Sequence, residues 1–205
     1  MNDKAKKITL LSCLLFCIAF VSVWRWNRHQ EWQIRKNVFC AHEILRNIWN
    51  EQSVHLQKSN KFFDFSELRK ITKNELLQKL TDNIENGIVK RHGYHFCIYL
   101  LSGKSNIYIS GKERLGNKAI HKNFICYAWP IKRGETGKFA FAIDCGRDLY
   151  MCRNSIQKYS ADKKPFAKAC FRRKKLECND NEFWVTAGSD FWFEHGKQQQ
   201  SFICD

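Results

Sequence analysis

The pattern of apolar and polar positions divides the chain into a helical first part and a β-rich second part. Residues 8–24 form an apolar run of seventeen positions without a charged side chain. The apolar residues beyond this run recur at spacings of four and three residues, on one face of a helix: Ile34, Val38, Ala41, Leu45 and Ile48. No Gly or Pro precedes Gly87, so no helix-breaking residue interrupts this part. One long helix is predicted, ending near Leu56.

Two shorter helices are predicted after the long one. Phe65 begins the first, with Asp64 or Ser66 as its N-cap, and residues 74–80 form the second. The apolar stripe of the long helix has two interpretations: a seam for self-assembly, or the face that packs on the protein's own domain. We favour the second interpretation, because a helix laid across a sheet buries the apolar faces of both elements.

The second part of the chain predicts an antiparallel sheet. Apolar runs predict five strands, at residues 94–100, 107–109, 124–129, 139–143 and 149–152. The fourth run alternates Phe and Ile with Ala, and we expect this strand to bury one face only. Turn-forming residues at 133–137 and 144–148 are typical of hairpins. The sequence therefore predicts an α+β fold, with a long N-terminal helix packed on a small antiparallel β-sheet.

We interpret the apolar run at residues 8–24 as an uncleaved transmembrane signal anchor. As a helix it is about 26 Å long, near the lower limit for crossing a bilayer. Lysines precede the run, and Trp24 and Trp26 end it, where tryptophan favours the membrane interface. The alternatives are a cleaved signal peptide, which lacks a small-residue cleavage site here, a lipoprotein signal at Cys13, and a buried soluble helix. We expect the leader in the cytoplasm and the C-terminal domain outside it.

The chain is strongly basic, with 35 Lys and Arg residues against 20 Asp and Glu residues. Seven basic residues are concentrated within thirteen positions: Lys163, Lys164, Lys168, Arg172, Arg173, Lys174 and Lys175. Such a run is either a solvated surface or a binding site for a polyanion, such as lipid headgroups or an acidic envelope polymer. Nucleic acid is not an expected partner, because no helix-turn-helix or RNA-recognition pattern accompanies the run.

Candidate catalytic and metal-binding motifs are sparse. The ten cysteines include no C-x-x-C pair, and the seven histidines include no H-x-x-x-H or H-E-x-x-H pair. The GETGK segment at 134–138 lacks the spacing of a P-loop and is interpreted as a turn. The eight cysteines outside the apolar run leave disulfides and free, buried thiols as open alternatives. We expect no enzyme activity, no cofactor and no metal.

Several segments of the second part together resemble a known architecture. In order they are Gly93-Tyr94-His95-Phe96, Tyr127-Ala128-Trp129-Pro130, Gly134-Glu135-Thr136-Gly137 and Phe141-Ala142-Ile143-Asp144. With a single N-terminal membrane helix, this order resembles type IV pilins and pseudopilins, and more closely membrane-anchored, prepilin-like bacterial proteins. The resemblance covers residues 1–160. It implies a pilin-like fold and a non-enzymatic structural or assembly role in the cell envelope, with other envelope or pilin-like proteins as partners.

The N-terminal segment departs from the pilin pattern. Prepilins share a Gly-Phe-Thr-Leu-x-Glu cleavage motif, and this chain has Lys7-Ile8-Thr9-Leu10-Leu11-Ser12 instead. Lys7 replaces the glycine at the cut, and Ser12 replaces the glutamate that neutralises a neighbouring subunit's amine in such filaments. We therefore expect an uncleaved, membrane-resident monomer or small oligomer. The expected organisation is a cytoplasmic leader (1–7), a transmembrane helix (8–24), a helical extension (25–60) and an α+β ectodomain (61–205).

Overall fold

The computed structural model describes residues 3–82, 84–102, 108–110, 121–152, 159–161, 163–165, 169 and 185–186. Three helices come first: α1 (Asp3–Ser59), α2 (Phe65–Ile71) and α3 (Glu75–Thr81). The strands follow: β1 (Ile84–Glu85), β2 (Ile88–Arg91), β3 (Tyr94–Ser102), β4 (Tyr108–Ser110), β5 (His121–Pro130), β6 (Ala140–Asp144), β7 (Leu149–Cys152) and β8 (Val185–Thr186). The predicted α+β class is confirmed, and the long helix ends three residues beyond Leu56.

The strands form one antiparallel sheet. Its order is β1-β2-β3-β5-β6-β7-β8, and β4 pairs with β3 beside this path. The hairpin of β1 and β2 was not predicted from the sequence, because these strands are short and do not alternate. Its signal was the dipeptide Asn86-Gly87, which adopts φ angles of 53° and 75°. An Asn-Gly pair with positive φ angles is the favoured two-residue hairpin turn.

Helix α1 packs across one face of the sheet with the second half of its length. The buried residues that α1 contributes to the core on this face are Ala41, Ile44, Leu45 and Ile48. They pack with sheet residues of the same cluster: Phe96, Ile98, Leu100, Phe124, Cys126, Ala128, Phe141 and Ile143. Packing on the protein's own domain is therefore the role of the stripe that the spacing predicted, at least over residues 41–48.

The opposite face of the sheet is also covered, which corrects one prediction. All five residues of β6 are buried, including the alanines that were expected to face solvent. Ala140 and Ala142 belong to a second core cluster with Tyr127, Trp129 and Tyr159. The sequence suggested one buried face because alanine is a weak apolar signal. The chain after β7 returns over this side and buries it.

Side-chain caps fix the short helices. The Asp64 carboxylate accepts the backbone N–H of Glu67 at 2.9 Å, and the Glu67 side chain reaches back to the backbone N–H of Asp64, which completes a capping box. Asn74 caps α3 by accepting from the backbone of Leu76 and Leu77. Both helices contribute buried residues to the core, and α3 contacts α2, α1 and β2.

Candidate functional site: the helical anchor and the basic segment

The first half of α1 lies outside the folded domain. From Leu10 onward it contains an apolar stretch long enough to cross a membrane, and no residue of that stretch is buried. The exposed large apolar side chains before the tryptophans are Leu10, Leu11, Leu14, Leu15, Phe16, Ile18, Phe20, Val21 and Val23. Nearly consecutive positions point in all directions around a helix, so the stretch is apolar on every side. Length and all-round apolar surface support a membrane anchor.

Aromatic and basic side chains mark the end of the apolar stretch. Trp24 is 53% exposed and Trp26 is 64% exposed. The Arg28 guanidinium lies 4.9 Å from the ring centre of Trp24. About two helical turns further along α1, the Lys36 ammonium lies 5.7 Å from the ring centre of Trp32. Tryptophan rings with cations beside them suit the membrane–water boundary, where one side is apolar and the other polar.

Two contacts define the direction in which α1 crosses the domain. The Asn37 side-chain amide donates a hydrogen bond of 2.9 Å to the carbonyl of Thr136, in the loop of residues 131–138. The Trp49 indole N–H donates at 3.3 Å to a carbonyl in the β6–β7 turn, residues 144–148. Twelve residues of helix separate these contacts by about 18 Å. We call the end with the 131–138 loop the anchor-side end, and the end with the 144–148 turn the distal end.

The basic run begins on the second face of the sheet. Lys163 and Lys164 are exposed, in a segment that Trp129 and Tyr99 hold through hydrogen bonds of 3.1 and 2.9 Å to its backbone carbonyls. The Lys164 ammonium also lies 5.7 Å from the ring centre of Tyr99. The other five predicted site residues lie outside the described residues: Lys168, Arg172, Arg173, Lys174 and Lys175. The start of the run is therefore fixed to the sheet with its lysines directed to the surface.

The fold brings further basic residues to the anchor-side end, and the sequence analysis did not find them. The backbone N–H of Arg133 donates to the Ser160 hydroxyl at 3.2 Å, and the backbone N–H of Lys163 donates to the Ser160 carbonyl at 2.9 Å. These bonds place the 131–138 loop beside the start of the basic run. The sequence did carry a signal, since each of the four segments that meet here contains a basic pair: Arg35-Lys36, Lys90-Arg91, Lys132-Arg133 and Lys163-Lys164.

The β2–β3 turn joins the same end of the domain. The backbone N–H of Ile131 donates to the Gly93 carbonyl at 2.9 Å. The pKa of the neighbouring His92 is lowered by its partial burial and by the positive charges of Arg91 and Lys36. Lys36 on α1 and Arg91 on β2 are thus close enough to act on the same imidazole. Charges from four separate segments converge here.

Three cysteines of the sheet are poorly suited to nucleophilic chemistry: Cys97, Cys126 and Cys145. Burial raises the pKa of the Cys97 thiol to about 12 and also raises the pKa of Cys126. The pKa of half-buried Cys145 is raised by burial and by the charge of Asp144. The thiolate is the reactive form and the metal ligand. Burial and neighbouring charge therefore keep these three thiols protonated at neutral pH.

The described part of the chain contains no group of three or more His, Cys, Asp or Glu residues that could hold a metal ion. Its two buried acids are used by the fold. Asp64 caps α2, and the Asp144 carboxylate accepts from the backbone N–H groups of Gly146 and Asp148 and from the Tyr150 hydroxyl. Comparison with protein-family models, with curated proteins and with solved structures found no match to this chain.

Proposed function

We propose that this protein is a non-enzymatic, pilin-like structural or assembly protein of the bacterial cell envelope, held in the membrane by the first half of α1. One observation carries the proposal. A single unbroken helix is exposed and apolar over residues 10–24, and it packs on an antiparallel sheet over part of its second half. The same element is then both the anchor and part of the core, as in the pilin architecture that the sequence resembles.

The anchoring step of the proposal is tested by membrane extraction and protease accessibility. The full chain is expected to stay in the membrane pellet after alkaline-carbonate extraction, because its exposed apolar stretch is stable only in lipid. Protease added to the outer side is expected to digest the domain, which the proposal places outside the cytoplasm. Release by carbonate contradicts the anchor. Digestion only from the cytoplasmic side contradicts the orientation and leaves the anchor intact.

The proposal includes a chain that keeps its leader and forms a monomer or small oligomer. Lys7 stands where prepilins have glycine, and Ser12 cannot supply the carboxylate that pairs with a neighbouring amine. Mass spectrometry of the protein from its own membranes is expected to find residues 1–7 still attached. The double variant Lys7→Gly, Ser12→Glu restores both motif positions and is expected to begin at Ile8 when a prepilin peptidase is present. A wild-type chain that begins at Ile8 would instead favour a pilus or secretion-system subunit.

A basic binding module for an anionic polymer or lipid surface is the second candidate function. It is favoured by the exposed lysines of the segment that is fixed on the sheet, Lys163 and Lys164. Counterion release makes polyanion binding strongly salt-dependent. Charge-neutral substitutions at Arg172, Arg173, Lys174 and Lys175 are expected to flatten the dependence of binding on salt concentration. An unchanged salt dependence would reduce the run to a solvated surface.

A further inference from the structure

We propose that the anchor-side end of the domain docks on the anionic phospholipid headgroups of the bilayer that holds α1. This inference rests on the proposed membrane anchoring and adds a second, electrostatic contact between the protein and the membrane. The contact is made by the folded domain, and it uses residues other than the C-terminal part of the basic run. Its basic residues come from α1, the β2–β3 hairpin, the 131–138 loop and the segment after β7: Lys36, Arg91, Lys132, Arg133, Lys138 and Lys163.

Hydrogen bonds hold these four segments together as one surface. Asn37 of α1 binds the carbonyl of Thr136 at 2.9 Å. Gly93 of the hairpin accepts from the backbone of the loop at 2.9 Å, and Ser160 accepts from it at 3.2 Å. The backbone N–H of Lys163 closes the set by donating to the Ser160 carbonyl at 2.9 Å. The charges are therefore presented by a fixed framework and not by independent flexible loops.

The surface is strongly biased toward positive charge. Lys132, Arg133, Lys138 and Lys163 are all exposed. The acidic residue of the same loop, Glu135, lies 3.3 Å from the Lys132 ammonium and neutralises one charge. The distal turn has the opposite balance, with carboxylates at 144 and 148 on either side of one arginine. An anionic surface thus attracts the anchor-side end of the domain more strongly than it attracts the 144–148 turn.

The anchor places this surface within reach of the headgroups. A hydrocarbon core of about 30 Å holds about twenty helical residues, so a span that begins at Ile8 extends three residues beyond the uncharged run at 8–24 and ends near Asn27. The long side chain of Arg25 then reaches toward the headgroups. Asn37, where α1 contacts the 131–138 loop, is then about 15 Å above the hydrocarbon. The headgroup layer fills about 6 Å of this distance. The remaining gap is close to the Debye length of about 8 Å at physiological salt, and the usual tilt of about 20° lowers one side of the domain further.

The occupant is the bilayer because the basic surface is continuous with the anchor. Between the apolar stretch and Asn37, α1 carries the tryptophans and cations of the membrane boundary, including Arg28 against Trp24 and Lys36 near Trp32. Lys36 then adjoins the hairpin, since its charge acts on His92. Basic residues therefore lie both in the interface layer and on the anchor-side end of the domain, and Glu31 is the one acid on α1 between Arg28 and Asn37.

Lysine footprinting of the full chain in lipid nanodiscs tests the proposal. Discs of pure phosphatidylcholine are compared with discs that contain phosphatidylglycerol, and acylation of each lysine is measured by mass spectrometry. Acylation of Lys132, Lys138 and Lys163 is expected to slow by at least about fivefold in the anionic discs. Each lysine near an anionic surface raises the constant for membrane binding by about that factor, and the bound lysines are shielded from the reagent. Lys58 is the internal control, because it lies about 32 Å along the helix from Asn37 and should react equally in both discs.

Two variants with equal charge loss complete the test. The triple variant Lys132→Gln, Arg133→Gln, Lys138→Gln is expected to remove the lipid-dependent protection of Lys163. The matched control Lys58→Gln, Lys70→Gln, Lys73→Gln removes three exposed lysines elsewhere and should keep that protection. High salt should abolish the protection in the wild-type chain.

Equal acylation in both lipids would overturn the docking proposal while leaving the anchor intact. Protection by soluble polyphosphate in phosphatidylcholine discs, with none from phosphatidylglycerol, would also overturn it and would identify a free polymer as the occupant. Failure of the chain to co-elute with either disc would overturn the anchor itself, and the docking proposal with it.

Discussion

Gly137 is needed where the buried ring of Tyr94 reaches the end of the 131–138 loop. The Tyr94 side chain is fully buried, and its hydroxyl donates a hydrogen bond of 3.1 Å to the carbonyl of Phe139. A Cβ atom at position 137 would overlap the hydroxyl and the ring of Tyr94. Gly137 is thus required because no space is left for a side chain. It lies in the GETGK segment, which the sequence predicted only as a turn.

Gly137→Ala is expected to lower the free energy of unfolding by about 1–3 kcal/mol, because the added methyl group overpacks the site. Urea denaturation of the full chain in detergent, followed by tryptophan fluorescence, measures the change. Tyr94→Phe removes the atom nearest to the added methyl group. In the double variant the Gly137→Ala loss should therefore be smaller than in the wild-type background. Strictly additive losses would contradict the proposed overlap.

His42 makes the stability of the domain depend on pH. Its pKa is lowered, first by burial and then by the charge of Arg46, although Glu43 at 3.8 Å acts in the opposite direction. The unfolded chain therefore takes up a proton near pH 6.5 more readily than the folded chain does. The contribution of neutral His42 to the free energy of unfolding is complete above pH 6.5. It is lost as the pH falls from there toward the lower pKa of His42 in the folded state.

Lowering the pH from 7.5 to 5.5 is accordingly expected to reduce the free energy of unfolding, as measured by urea titration at each pH. His42→Gln should show a smaller decrease than the wild-type chain, and a part should remain because the pKa of His92 is lowered too. His29→Gln is the matched control, since His29 is exposed on the part of α1 outside the domain. An equal pH dependence in His42→Gln and the wild-type chain would assign the effect to other groups.

At the scale of elements, Gln52 joins the end of α1 to the segment that leads into α2. Its fully buried side-chain amide donates to the Phe63 carbonyl at 2.5 Å and accepts from the Phe63 backbone N–H at 3.0 Å. One side chain therefore forms hydrogen bonds with both the backbone N–H and the backbone carbonyl of Phe63. The helix pair α2–α3 is placed against α1 through this contact and through the Asn74–Asn47 hydrogen bond of 3.4 Å.

Gln52→Leu is expected to lower the free energy of unfolding by about 1–3 kcal/mol, because it leaves the N–H and carbonyl of Phe63 buried without these partners. Gln57→Leu is the control on the same helix, where the side chain is exposed and the change should stay within about 0.5 kcal/mol. Chemical denaturation of the three proteins under the same conditions measures both changes. Equal stability of the two variants would mean that the Gln52 contact contributes nothing.

At the scale of the whole molecule, the sheet is covered on both faces. One buried cysteine lies under each cover, so the reactivity of its thiol measures how often that cover opens. Cys126 belongs to the core under α1, and Cys97 belongs to the second core, under the segment after β7. Burial raises the pKa of both thiols, so little thiolate is present at neutral pH. Cys145 lies at the distal end and is only half-buried.

Alkylation of the native full chain at pH 8, followed by mass spectrometry, is expected to modify Cys145 well before Cys97 and Cys126. If both covers of the sheet open only on global unfolding, the two buried thiols should react at similar rates. Addition of urea should accelerate both together. Faster modification of Cys97 than of Cys126 would show that the segment after β7 opens independently of α1.

The sequence by itself determined the elements whose signals are local. The apolar spacing of Leu45 and its neighbours and the cap of α2, predicted at Asp64 or Ser66, depend on residues within one or two helical turns. The apolar run before Trp24 is likewise read from composition alone. Short strands without alternation, such as β1 and β2, were missed because tertiary pairing stabilises them more than their own residues do.

Only the tertiary structure decided what covers the sheet and which charges meet. The alanines of β6 carry no strong periodic signal, so their burial depends on the returning segment around Tyr159. The basic pairs at 35–36, 90–91, 132–133 and 163–164 are far apart in sequence, and each is an ordinary surface pair by itself. Their convergence follows from the antiparallel topology, which brings alternate turns of the sheet to the end where α1 enters the domain.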